Sequence, residues 1–171
     1  EGYELYFGSV DEANGTAEVW YSAEGEIGGF QFDVSGGTLT GTSGGAAEDA
    51  GFTVSTSTST ILGFSFSGAN VAVGDGLTLL TVEFEPEDGA TEYCLEEVVL
   101  SDVGGDTVSF DVGPCAEALQ IDCNGELGGT AELDECGVCE GDGVMQDCGC
   151  GTPGEFGMPE GACDCDGNVE D

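Results

Sequence analysis

The residues with the clearest chemical potential lie near the C-terminal end. Asp164, Asp166 and Asn168 stand two positions apart, with Gly167 among them. An Asp-x-Asp-Gly spacing sets carboxylates on successive turn residues, while glycine lets backbone carbonyls turn toward the same ion. Asp134, Asp142 and Asp147 form a looser version of the pattern. These six residues are the candidate ligands for Ca2+, a hard cation that takes carboxylate and carbonyl oxygens in flexible geometry. No EF-hand loop closed by a bidentate Glu accompanies them.

Cysteines crowd the same stretch: Cys123, Cys136, Cys139, Cys148, Cys150, Cys163 and Cys165. Cys136-x-x-Cys139 with Cys148-x-Cys150 would make a four-thiolate zinc site on paper. In an oxidising compartment, however, disulfides are the default fate of such residues, and neighbouring carboxylates raise thiol pKa values. A redox role for the Cys-x-x-Cys lacks the βαβ surroundings it needs. With Cys94 and Cys115, all nine cysteines are therefore read as disulfide partners. The spacing leaves the connectivity of the tail open.

What is missing narrows function further. The chain has 36 Asp plus Glu and no Lys, Arg or His, where a soluble chain of this length carries roughly 20 basic residues. Nucleic-acid binding needs cations against phosphate, and anionic membranes repel a chain of this kind. Catalysis loses its commonest acid–base group and every cationic clamp or amine nucleophile. Paired carboxylates such as Asp11 and Glu12, or Glu96 and Glu97, suit a glycosidase in principle, but among 36 acids they arise by chance. The expectation is a chain that is not an enzyme. Its net charge of −36 calls for divalent cations or high ionic strength as partners; a merely solvated acidic surface is the alternative.

No run is apolar and long enough to insert into a membrane. The cysteine count points to an extracellular or cell-surface location. The chain begins at Glu1 without a signal-peptide pattern, which suggests a mature protein or a fragment.

The elements that must position these residues fall into two regions. Residues 1–115 read as all-β. Alternation places Tyr3, Leu5 and Phe7 on one face, as it does Ala17, Val19 and Tyr21, and Phe30, Phe32 and Val34. Leu62, Phe64 and Phe66 repeat the pattern, followed by Leu80, Val82 and Phe84 and by Val108, Phe110 and Val112. Residues 51–57 and 93–100 are less regular candidates, and Ala46–Ala50 is briefly helical. Clusters of Gly, Asn, Asp and Ser supply the turns between them. About eight or nine short strands predict a jelly roll or β-sandwich.

Cys94 and Cys115 flank the last strand, a separation that suits a bridge tying it to its neighbour. Asn14-Gly15-Thr16 is a glycosylation sequon in a turn. Trp20 and Tyr21 would serve either as a sugar platform or as core.

Residues 116–121 read as a linker. From 122 onward the chain has 14 acids and seven cysteines, too few large apolar residues to build a core, and so must be held by covalent or metal links. Asp122-Cys123-Asn124-Gly125 recurs as Asp164-Cys165-Asp166-Gly167. The second copy stops at Asp171, which predicts a chain cut from a longer array and explains the odd cysteine.

Two resemblances follow from these strings. IGGFQFDVSGGTLTGTSGGAAEDAGFTVSTSTSTILGFSFSGANVAVGDGLTLLTVEFEP resembles cohesin-like domains of large secreted bacterial proteins, with a GFQFDV-type opening strand and a later LLTVEF-type strand. That resemblance implies a nine-stranded jelly roll used for protein attachment or display; cohesins proper bind dockerins. The tail, through DECGVCEGDG, resembles cysteine-rich repeats of secreted proteins that are distantly similar to thrombospondin type 3 calcium repeats.

The expected function is an extracellular structural module, a segment of a fibre, sheath or cell-surface assembly. Copies of itself or other cell-surface proteins would be its partners. The alternative is a carbohydrate-binding or adhesin module of a larger secreted protein.

Overall fold

The computed structural model describes residues 2–143. The chain divides into two units, Glu1–Leu119 and Gln120–Asp171. Among the described residues no helix is long and apolar enough to cross a membrane.

The first unit is a two-sheet sandwich. Its strands are β1 (Tyr3–Asp11), β2 (Thr16–Ala23), β3 (Gly29–Ser35), β4 (Gly37–Ser43), β5 (Thr53–Thr56), β6 (Thr60–Phe64), β7 (Gly74–Pro86), β8 (Glu92–Ser101), β9 (Phe110–Val112) and β10 (Ala116–Glu117), with one short helix, α1 (Gly45–Asp49). One sheet runs β4-β7-β2-β1-β9 and the other β10-β8-β3-β6-β5. Neighbours are antiparallel except β1 and β9, which run parallel with Leu5 beside Val112. The predicted all-β sandwich is the observed architecture.

Alternation dictates which side chains meet between the sheets. Leu5, Val19, Tyr21, Leu80 and Val82 enter from the first sheet, and Phe30, Phe32 and Ile61 from the second, all buried. Phe30 stacks on Phe52 with centroids 5.9 Å apart. Burying each large apolar side chain contributes about 1.5–3 kcal/mol. Gly36, at φ 86°, carries the chain from β3 in one sheet to β4 in the other in a single residue; a side chain there would collide with the Glu92 carbonyl.

Several expectations change. In β6 the inward face is Ile61 and Gly63, not Leu62 and Phe64, and the strand ends before Phe66. The reason is steric: the Phe30 ring lies where a Gly63 Cβ would stand, so the strand offers its glycine to that ring and turns Leu62 outward. Strand β4, GTLTGTS, escaped the pattern because Leu39 is its one large apolar residue. Residues 116–119, read as linker, belong to the sandwich: β10 pairs with β8, Ala118 is buried, and the Leu119 amide donates to Glu12 Oε1. Cys94 is bonded to Cys115, but the bond ties β10 to β8, not the 108–112 strand to its neighbour. That last strand shortens to β9 and edges the opposite sheet beside β1.

The second unit is described from Gln120 to Gly143 and is built on a repeat shorter than the one read from the sequence. Ile121 bridges Leu127, and twelve residues on Leu133 bridges Cys139. Asp122 N donates to Glu126 O as Asp134 N does to Val138 O; Gly128 N donates to Gln120 O as Glu140 N does to Glu132 O. The two copies, 120–131 and 132–143, share the Asp and two glycines but little else.

Candidate functional site

The outer face of the β8-β3-β6-β5 sheet is the most distinctive surface of the sandwich. Register places its residues in ranks. Ser101, Gly29, Phe64 and Thr53 lie side by side, then Val99, Gln31, Leu62 and Ser55. Neither rank contains a charge, in a chain that is 21% charged. Val99 and Leu62 are 43% and 40% exposed, and Phe66, edge-on to Phe64 at 4.8 Å, is 86% exposed. Between them lies a groove of about 300 Å3 lined by Gly28, Gly29, Phe64 and Val99 among others. Gly28 is required by space, because a Cβ there would strike the Asp102 carbonyl.

The next rank changes character. Asp33 pairs with Glu96, and Ser35 Oγ donates to Glu96 Oε1 at 3.3 Å. Glu92 and Glu117 pair at the far edge. Between the apolar and acidic ends, β8 bulges at Glu97, a non-glycine residue held at φ 46°. Bulges of this sort re-aim side chains and end regular pairing, and here the bulge marks the boundary between the two halves of the face.

On the opposite sheet, Tyr21 belongs to the core and its hydroxyl donates to the Ala72 carbonyl at 2.9 Å. Trp20 stands on the outer side, paired across the strands with Tyr6. The two residues flagged together in the sequence thus occupy opposite faces, as period two demands.

Two carboxylates have structural duties that the sequence did not signal. Glu12 is only 8% exposed; it receives the Leu119 amide and lies beside Tyr93, whose buried hydroxyl has no partner of full hydrogen-bond geometry. Burial, then the Glu12 charge, pushes the Tyr93 phenol up to about 12. Asn14 is exposed at the β1–β2 turn, where its amide donates to Asp11 Oδ2 at 2.7 Å. That bond holds the Asp11 carboxyl below its ordinary range.

In the tail, Asp134 directs both oxygens at backbone amides. Oδ1 accepts from Cys136 N and Val138 N at 2.9 and 2.8 Å, and Oδ2 from Gly143 N at 3.0 Å. Asp122 does the same toward Asn124, Glu126 and Ala131. These bonds lower both carboxyls from the ordinary value of 3.8. Asp142 is exposed. Asp122 and Asp134 thus each hold a loop of the tail together through backbone amides.

Glu92, Cys94 and Cys115 do lie within ligand distance of one another, but the Cys94–Cys115 bond consumes both sulfurs. Cys123 is bonded to Cys139, and Cys136 is also disulfide-bonded, which removes two thiolates from the zinc alternative. Asp147, Cys148, Cys150, Cys163, Asp164, Cys165, Asp166 and Asn168 lie outside the described residues.

No family model matches the chain. Among solved structures it is similar to a non-cellulosomal cohesin from Archaeoglobus fulgidus, at 13% identity over 66% of this chain and 86% of that one, with a TM-score of 0.48. It is also similar to CaCohA2 from Clostridium acetobutylicum, at 18% identity over 68% and 89% respectively, with a TM-score of 0.48. A stretch of 59 residues, 34% of the chain, is 36% identical to Papilin of Caenorhabditis elegans. The chain spans about 3% of the length of that curated relative.

Proposed function

We propose that this chain is a non-catalytic structural module of an extracellular assembly (a fibre, sheath or cell-surface array), and that another extracellular protein docks on the outer face of β8-β3-β6-β5. The observation that carries the proposal is the pair of uncharged ranks around Leu62 and Val99 in an otherwise strongly acidic chain. Exposed apolar patches bounded by polar residues mark interaction sites. The acidic end, Asp33, Glu96, Glu92 and Glu117, fits a partner that carries Lys or Arg at one side of its contact surface. A second copy of these 171 residues has no cation to offer, so the occupant is a different protein. Disulfides in both units support the extracellular setting.

The test is a Leu62→Asp, Val99→Asp double variant expressed in the parent assembly. Both side chains point to solvent, so the variant should melt within a few degrees of wild type yet be released from the assembly on washing. A variant that folds and stays bound would contradict the docking face.

Calcium belongs to the same reading, as a tail ligand held by the Asp-x-Asp-Gly spacing at Asp164, Asp166 and Asn168 with Asp147. Calorimetric titration of the metal-free chain with CaCl2 checks it. Saturable heat that magnesium does not reproduce supports a site, and a featureless dilution curve removes it.

A further inference from the structure

The face opposite the proposed docking surface carries the chain's only tryptophan. Trp20 on β2 faces Tyr6 on β1, with centroids 6.3 Å apart and planes at 66°. The indole lies flat over Gly8, where a Cβ would collide with it, and a Cβ at Gly113 would likewise collide with Tyr6. Trp20 Nε1 donates to Glu18 Oε2 at 3.3 Å, and Ser9 Oγ donates to the same oxygen at 2.8 Å. One ring face is thus covered, one edge is pinned, and the side chain remains half-buried. The aromatic pair is held in a single geometry.

The charges around the pair follow from antiparallel register. Glu18 precedes Trp20 by two residues on β2 and Glu4 precedes Tyr6 by two on β1, so the carboxylates flank the rings on opposite sides. Glu4 stands beside Ser22 on β2 and Asp111 on β9, and Ser22 Oγ donates to Asp75 at 2.8 Å. This row lines a groove of about 790 Å3 that also receives Glu24. No cation of the chain competes for these groups.

We propose that this face binds an arginine-bearing segment of a partner protein, with one guanidinium stacked on the Trp20 indole and a neighbouring cation in the acidic groove. Charge complementarity selects the occupant. An indole face attracts cations more strongly than the other aromatic rings do, and guanidinium both stacks on aromatic planes and forks hydrogen bonds to carboxylates. A second copy of the chain lacks any such group. The site is independent of the Leu62–Val99 face.

Trp20 is its own probe, because tryptophan fluorescence reports this position alone. The full chain is titrated at low salt with a tetra-arginine amide, a tetra-lysine amide and cellotetraose. The expected result is a saturable change in Trp20 emission with the arginine peptide, with affinity at least several-fold above that of the lysine peptide, and no saturable response to the neutral sugar. By calorimetry, Trp20→Thr should bind the arginine peptide at least tenfold more weakly. Equal binding by Trp20→Thr would mean that the peptide merely condenses on the acidic surface, and would overturn the proposal; so would saturation by cellotetraose without response to arginine. If Trp20→Thr fails to fold, a Glu4→Gln, Glu18→Gln variant carries the same decision. Affinity reduced threefold or more upholds the site, and unchanged affinity refutes it.

Discussion

Asp122 and Asp134 show how one residue type can organise a segment that has no apolar core. Each carboxylate accepts three backbone amides that would otherwise have only water as partner. Their folded pKa values lie below the ordinary 3.8. A depressed carboxylate contributes stability that is fully present above its unfolded pKa and is lost as pH falls through the folded one. The amides of Cys136, Val138 and Gly143 should therefore lose hydrogen-exchange protection together as pH drops below 3.8, and Asp134→Asn should weaken that protection at neutral pH. Protection unchanged in the variant would mean that the disulfides alone hold the loop. A second prediction concerns Glu140, held at φ 52° where the first copy has Gly128 at φ 70°. A left-handed conformation costs a non-glycine residue about 1–2 kcal/mol, partly offset by glycine's greater entropy loss. Glu140→Gly should thus stabilise the repeat, read as slower exchange of the same amides.

At the level of elements, β6 tests how packing decides a face. Ile61→Ala should destabilise the sandwich by about 2–5 kcal/mol, whereas Leu62→Ala should cost under about 1 kcal/mol in denaturant unfolding. Gly63→Ala should cost about 1–3 kcal/mol through overpacking against the Phe30 ring. If the Leu62 and Ile61 values were reversed, the face assignment would be wrong. The same strand shows what was legible in the sequence. Strands such as β2 and β3, where every second residue is apolar and buried, declared both their existence and their inward face. In β6, Ile61-Leu62-Gly63-Phe64 is apolar throughout, and only the position of the Phe30 ring on a neighbouring strand chooses between the two faces. β4 and β10 lacked apolar alternation altogether and form because β7 and β8 offer edges to pair with. The proposed docking face was invisible for a related reason: Val99, Gln31 and Leu62 come from three strands and meet only through register. The aromatic residue Trp20 was conspicuous in the sequence, but its partner Tyr6 was not. The twelve-residue repeat was masked because Asn124, Glu126 and Gly128 are replaced by Cys136, Val138 and Glu140.

For the whole molecule, the net charge of −36 outweighs any single contact. With no internal cations, self-repulsion is reduced only by ions or protons. The sandwich should therefore melt at higher temperature as NaCl rises from low to physiological concentration, and its stability should rise on mild acidification, the opposite of the tail repeat at lower pH. At the alkaline end, Tyr93 is raised from 10.0 to about 12. A raised phenol contributes stability that is present below its unfolded pKa and lost as pH climbs to the folded one, so unfolding should steepen between pH 10 and 12 and should flatten in Tyr93→Phe. Two faces of different chemistry, on a body that repels its own copies, suit a part that joins other proteins together. Hydroxyl-radical footprinting of the chain, free and within its parent assembly, tests that claim most directly. Leu62, Phe64, Phe66 and Val99 should become protected in the assembly while Val138 in the tail keeps its reactivity. Equal labelling of those four residues in both states would contradict it.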